Sequence, residues 1–120
     1  MTLSEKQANF TYNISKLIQW AFSNGYTLTF GEVYRTKEQQ ELYVKQGKSK
    51  TMNSRHLDRL AVDFNIFKDS VLLNDPKLIQ PLGEYWMTLN VSNVWGNDWN
   101  RNHSIMDETF SDPYHFEMKP

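Results

Sequence analysis

No cysteine occurs in the chain, which excludes disulfide cross-links, a cysteine nucleophile and any metal site built on thiolates. A bound metal must then be held by histidine, aspartate or glutamate, and histidine is scarce: His56, His103 and His115 are the whole supply. An excess of either charge is missing too. Thirteen Lys and Arg stand against fourteen Asp and Glu, a formal net charge of −1, which argues against broad electrostatic binding to duplex DNA or anionic lipid. No apolar run approaches the roughly 20 residues that a membrane helix needs. Residues 1–8 are polar, without the charged-then-apolar pattern of an export leader. These absences lead to the expectation of no nucleic-acid partner, no membrane insertion and no export signal.

What is present suffices for a core. Of 120 residues 39% are hydrophobic and 14% aromatic, with Trp20, Trp86, Trp95 and Trp99 spread along the chain, so one globular domain over residues 1–120 is expected. From Ser4, with Gln7 completing a capping box, Phe10, Ile14, Leu17, Ile18 and Ala21 recur at helical spacing until Asn24 and Gly25. Residues Tyr26 to Tyr34 read as a strand, and Thr36 with Gln39 opens a second helix that Gly47 closes. Gly47 to Asn53 is a polar, basic loop. Ala61 to Phe67 alternates, sending Val62, Phe64 and Ile66 to one face and Ala61, Asp63 and Asn65 to the other. Asp75 and Pro76 are an N-cap and first helical position, and Pro81 is expected to kink or restart that helix. Val94 to Trp99 and Tyr114 to Met118 fit two short strands joined by a loop. The order of elements predicts an α+β fold with an antiparallel sheet and flanking helices.

A lone histidine is more often structural than a ligand, and His56 or His115 alone carries little weight. Together with Asp63 they gain meaning. A catalytic zinc site keeps three protein ligands and one open position, and without cysteine two histidines and a carboxylate are the expected set. His56 lies on the loop entering the Ala61 to Phe67 strand, Asp63 on that strand's polar face, and His115 must come from a neighbouring strand. Asp112, three residues before His115, can reach the same place, where a free carboxylate can take the proton of water that zinc has acidified toward a pKa of ~7. Standing alone, Asp112-Pro113 would be read as a turn.

Ser54-x-His56 followed by Ala61-x-Asp63, then Trp95-Gly96-Asn97-Asp98-Trp99 and Asp112-Pro113-Tyr114-His115-Phe116-Glu117, resembles the L-alanyl-D-glutamate peptidases of phage endolysins, relatives of the D-Ala-D-Ala dipeptidases and carboxypeptidases. The match runs from about Tyr34 to Met118. The resemblance implies a small hedgehog-type, D-Ala-D-Ala-peptidase-like domain that uses Zn2+ to cut between L-alanine and D-glutamate in bacterial peptidoglycan. It places the zinc ligands on His56, Asp63 and His115 and the catalytic base on Asp112. Arg35 falls on the family's arginine at the end of an early strand, there to stabilise developing negative charge or hold a substrate carboxylate. A salt bridge is its plainer role. Ser54 is assigned to substrate binding with it.

Two positions depart from the family pattern. Arg59 stands where glycine is usual, at a cost of about 1 kcal/mol if a positive φ is required. Asn97 replaces a second glycine with a residue that tolerates the same conformation better than most. His103 is read as solvent-facing, Trp95 and Trp99 as either groove lining or core. Lys45, Lys48, Lys50, Arg55 and Arg59 make a basic stretch that suits an anionic wall polymer or is simply a solvated face. The expected partner is peptidoglycan and the expected state a monomer, made in the bacterial cytoplasm and acting on the wall after release through the inner membrane. Two other readings remain open: a D-Ala-D-Ala carboxypeptidase or dipeptidase of the same fold, and a non-catalytic, zinc-containing wall-binding module.

Overall fold

A computed structural model describes residues 1–49, 52, 54–106 and 111–120. Lys50 of the basic stretch and Asn53, the end of the expected loop, lie outside the described residues. Helix α1 spans Leu3–Ser23. It starts earlier than its sequence pattern suggests, because Thr2 and not Ser4 is the N-cap. Thr2 Oγ1 accepts from the Glu5 N–H at 3.2 Å while the Glu5 carboxylate bonds back, so the capping box uses Thr2 and Glu5 in place of Ser4 and Gln7. Phe10, Ile14, Leu17 and Ala21 form its buried stripe, and Asn24 closes it.

Strand β1 (Tyr26–Phe30) is shorter than the expected Tyr26 to Tyr34. The reason lies in its pairing with β2 (Ala61–Lys68), which runs regularly from Tyr26↔Lys68 to Phe30↔Phe64 and then breaks. The Gly31 N–H donates to Asp63 O at 2.7 Å and the Asp63 N–H donates to Glu32 O at 2.8 Å. Two residues thus oppose one, the pattern of a β-bulge, and it turns residues 32–35 out of the ladder toward the site. Only glycine fits at 31, since a Cβ there would lie 2.9 Å from Asp63 O.

Helix α2 (Lys37–Lys45) is capped as expected by Thr36, whose hydroxyl accepts from the Gln39 N–H at 3.1 Å. A short 3₁₀ helix, Arg55–Asp58, leads into β2. The tight turn after β2 adds β3 (Val71–Leu72), which the sequence pattern did not reveal. Helix α3 (Pro76–Leu89) begins at the Asp75 cap and runs through Pro81 without restarting, with Ile79 and Leu82 fully buried on either side of it. Strands β4 (Asn93–Trp95) and β5 (His115–Met118) complete an antiparallel sheet of order β1-β2-β5-β4, with β3 beside β2.

Val62, Phe64 and Ile66 face the core, as the alternation requires, against Leu17, Trp86 and Phe116. Trp86 fixes α3 to the site-bearing strands: its indole N–H is shared between Val94 O (3.1 Å) and Glu117 O (3.0 Å), and its ring meets Phe10 and Phe116 edge-on. No helix among the described residues is long and apolar enough to cross a membrane.

Candidate metal centre and its cleft

Register builds the centre. In the β2–β5 ladder Asp63 stands directly opposite His115, so their side chains share the face away from the core. His56 reaches them from the 3₁₀ helix. That turn is held by Ser54, whose Oγ accepts from the His56 N–H at 3.3 Å, and by the Arg35 N–H, which donates to His56 O at 3.3 Å. His56 Nδ1 donates to Val33 O at 2.9 Å, which leaves Nε2 as the imidazole's free acceptor. That Nε2 is buried without a hydrogen bond, although it lies 3.4 Å from Asp63 Oδ1.

A buried acceptor with no donor costs about 1–3 kcal/mol, so its persistence calls for a partner that is not a protein group. One ligand atom each from His56, Asp63 and His115 lies within 4.8 Å of the others. Two imidazole nitrogens and one carboxylate oxygen at this spacing fit a divalent metal of the zinc type. His115 Nδ1 lies 3.1 Å from Asp63 Oδ1, and its other nitrogen, Nε2, is 2.8 Å from Glu117 Oε1. Glu117 therefore orients His115 from behind, as Val33 O orients His56.

These contacts set the charges. Burial works to raise the Asp63 pKa, but the hydrogen bond to His115 and the nearness of His56 outweigh it and hold the carboxyl below the usual range. Burial works to lower that of His115, yet hydrogen bonds to Asp63 and Glu117 raise it to about 9. Asp112 is pushed above the ordinary carboxylate value by burial, against the pull of His115.

Asp112 lines a cleft of about 250 Å³ together with Glu32, Arg35, Tyr43, Lys48 and Asp63. Its backbone is held to Gly96, with the Asp112 N–H donating to Gly96 O at 2.9 Å, and its carbonyl accepts from the His115 N–H at 3.1 Å. A side chain at Gly96 would overlap Asp112 O, so this glycine permits the close approach of the Asp112–His115 turn to β4.

Arg35 sits beyond the end of β1, not on it. Its Nε donates to Glu32 Oε1 at 2.5 Å, Nη2 pairs with the same oxygen, and Nη1 donates to Gln40 Oε1 (2.6 Å) and Ser54 Oγ (3.3 Å). Its guanidinium also lies 4.7 Å from the centre of the Tyr43 ring, whose hydroxyl donates to Glu32 Oε2 at 3.2 Å. The expected alternatives for Arg35 thus coexist: it lines the cleft and is salt-bridged. Ser54 is likewise engaged with Arg35 and with the turn that presents His56.

Glu32, Tyr43 and Glu117 were missed as site residues. Glu117 had a signal, since i and i+2 on a strand share a face and His115 precedes it by two. Glu32 and Tyr43 had none, because the bulge that places Glu32 and the packing of α2 that places Tyr43 are tertiary features.

Arg59 takes the left-handed conformation (φ 57°, ψ 35°) that its place in the family pattern implied, and stacks on Tyr34 with 4.1 Å between guanidinium carbon and ring centre. Such a contact offsets the strain by about 0.5–1 kcal/mol. Arg59→Gly is therefore expected to be more stable than Arg59→Ala by about 1 kcal/mol, since both lose the stacking and only alanine keeps the strain. Equal urea-unfolding free energies for the two would show that the backbone is relaxed here. Asn97 corrects the sequence-based expectation. It is buried, accepts from the Ser111 hydroxyl and does not have a positive φ; the left-handed residues nearby are Arg101 and His103. Trp95 is core, with its indole N–H donating to Pro113 O at 2.8 Å, whereas half-buried Trp99 places its ring 5.4 Å from that of His115. His103 is exposed and pairs with Glu84 at 2.5 Å.

Two imidazoles and a carboxylate converging on one face of an antiparallel sheet, with a separate carboxylate in the adjoining cleft, define a class of α+β domains that carry a candidate metal centre beside a carboxylate-lined cleft. Within that class the chain belongs to the phage L-alanyl-D-glutamate peptidase family, whose model matches residues 2–119. It is 47% identical over 53 residues to an L-alanyl-D-glutamate peptidase of Listeria phage A118, a stretch covering 44% of this chain and 19% of that relative. The chain therefore matches about a fifth of that relative's length.

Among solved structures it is similar to the Serratia marcescens L-Ala D-Glu endopeptidase ChiX, with a TM-score of 0.68 and 21% identity, covering 97% of this chain and 85% of the other. It is also similar to a vancomycin-resistance D,D-pentapeptidase VanY from a VanB-type cassette, in complex with Zn(II), at a TM-score of 0.59 and 18% identity, covering 91% and 70%. At these identities the two structures speak for the fold.

Proposed function

We propose that the chain is a zinc-dependent endopeptidase that hydrolyses the bond between L-alanine and D-glutamate in the peptide stems of peptidoglycan, as a phage or prophage endolysin does. The observation that carries this reading is the convergence of His56 Nε2, Asp63 Oδ1 and His115 Nδ1 beside a cleft into which Asp112 brings a separate, raised-pKa carboxyl. The bond itself is inferred from the family match. His56, Asp63 and His115 would hold the ion, which when bound supplies Lewis-acid polarisation and acidifies water. Asp112 accepts the proton of the attacking water and returns it to the departing amine of D-glutamate, which its elevated pKa favours. Arg35, fixed by four hydrogen-bonding contacts, adds a preorganised positive edge for the oxyanion. The same reading has the chain made in the bacterial cytoplasm, reaching the wall once the inner membrane is opened, and working as a monomer.

Digestion of purified peptidoglycan by the zinc-loaded protein, with identification of the newly freed termini, tests this. The expected products carry a free L-alanine carboxylate and a free D-glutamate amine. Release of D-alanine instead would move the chain to the carboxypeptidase side of the fold, and no release would leave the wall-binding module.

A further inference from the structure

The cleft beside the metal centre is crowded with carboxylates, namely Glu32, Asp63 and Asp112, and two cations border it, Arg35 and Lys48. Arg35 is already paired: Glu32 matches its charge through Nε and Nη2, and Nη1 is engaged by Gln40 and Ser54, which leaves one Nη2 N–H as the donor it can turn to an oxyanion. Lys48 is different. Its backbone is anchored to the end of α2, the Lys48 N–H donating to Tyr43 O at 2.9 Å, while its ammonium lies 5.9 Å from the centre of the Tyr43 ring. No carboxylate among the described residues forms an ion pair with it. Tyr43 thus separates a cation with a carboxylate partner from one that has none among the described residues.

We propose that Lys48 is a specificity-determining residue that holds a free α-carboxylate on the leaving-group side of the scissile bond, so that the enzyme selects D-glutamate over its α-amide. This rests on the function proposed above. When glutamate is joined onward through its γ-carboxyl, its α-carboxylate sits on the carbon bonded to the scissile nitrogen and must enter the cleft that also holds Asp112. That carboxylate would lie beside the carboxyl of Asp112, and a cation at the rim of the cleft would offset their repulsion. A lysine ammonium is a mobile point charge on a flexible stem, suited to meet it there, whereas the fork of Arg35 is locked in place. An α-carboxamide offers no charge and leaves the ammonium unmatched.

The test uses the zinc-loaded full chain and two synthetic substrates, N-acetyl-L-Ala-γ-D-Glu-L-Lys and its α-carboxamide counterpart. The unsubstituted protein should favour the carboxylate by ~10-fold or more in kcat/KM, the order expected for one charge-assisted contact. Lys48→Met should remove that preference by raising KM for the carboxylate alone, and Lys48→Arg should restore most of it. Lys48 is exposed, so the melting temperature should not move.

Binding of the cleavage product γ-D-Glu-L-Lys, followed by NMR titration, gives a readout independent of turnover and should weaken by ~10-fold in Lys48→Met. Equal cleavage of both substrates, or an equal loss on both in Lys48→Met, overturns the role of Lys48 while the proposed function stands. Absence of cleavage with Lys48-dependent binding of the carboxylate peptide has the opposite meaning: the function falls and the subsite remains. Neither cleavage nor Lys48-dependent binding overturns both.

Discussion

Asp112→Asn is expected to keep the fold and the metal while lowering peptide hydrolysis by ~10²- to 10⁴-fold, the usual worth of a positioned general base. Asparagine preserves size and hydrogen bonding but cannot take a proton. The backbone that positions the residue, held by Gly96 O and the His115 N–H, is indifferent to the change. The sign of the stability effect also follows. Burial raises the Asp112 pKa, so the folded state prefers the protonated form, and ionising the group above its ordinary value costs stability. Removing the charge should therefore leave the melting temperature at neutral pH equal to or above that of the unsubstituted protein. The same raised value predicts that kcat/KM falls on the acid side at a pH above the ordinary carboxylate range, and that this limb disappears in Asp112→Asn.

Wall hydrolysis, zinc content and melting temperature measured on this one variant separate three roles. Full activity would make Asp112 a turn residue before Pro113. Loss of zinc would make it a fourth ligand, and the closed site that results would suit a binding module better than an enzyme.

His56→Ala, Asp63→Ala and His115→Ala should each abolish stoichiometric zinc binding and reduce hydrolysis to background, because two remaining ligands are too few. Metal analysis after desalting decides this, and zinc retained at one per chain in any of the three would exclude that residue as a ligand. Zinc affinity should also depend on pH. In the metal-free protein His115 holds its proton up to about 9, and binding through Nδ1 must release it, so affinity should rise about tenfold per pH unit from 6 to 8.

The stability of the metal-free protein follows the same pair of groups. A folded pKa above the unfolded ~6.5 means that the contribution of His115 is complete below that value and fades as pH rises through about 9. Asp63, held low, contributes above its unfolded pKa of ~3.9 and loses that contribution as pH falls below it. Melting temperature without metal should thus decline on both sides, and a flat alkaline side would show that the His115–Asp63 contact is absent in solution.

Much of the centre was legible in the chain. Without cysteine, a three-ligand site had to use histidine and carboxylate, and the alternation of residues 61–67 already placed Asp63 on the face opposite Val62, Phe64 and Ile66. Local chemistry also marked the helices: Thr36, Asp75 with Pro76, and Asn24 act within a few residues of themselves, and no tertiary partner is needed to read them. Local chemistry does not separate Ser4–Gln7 from Thr2–Glu5, because both satisfy the capping-box spacing, and the structure uses Thr2–Glu5.

Long-range pairing decided the rest. That Asp63 faces His115 and not its neighbour is a matter of β2–β5 register, which a 52-residue separation in sequence does not encode in any local pattern. The bulge at Gly31 and Glu32 lies where the β1–β2 ladder reaches Asp63 and is defined by hydrogen bonds to that distant residue. That bulge places Glu32 within reach of Arg35, and Tyr43 stands between Arg35, which has a carboxylate partner, and Lys48, which has none among the described residues. Sequence determined which atoms could bind a metal and take a proton; the sheet determined which of them meet, because a ligand set is a property of residue types whereas a site is a property of distances.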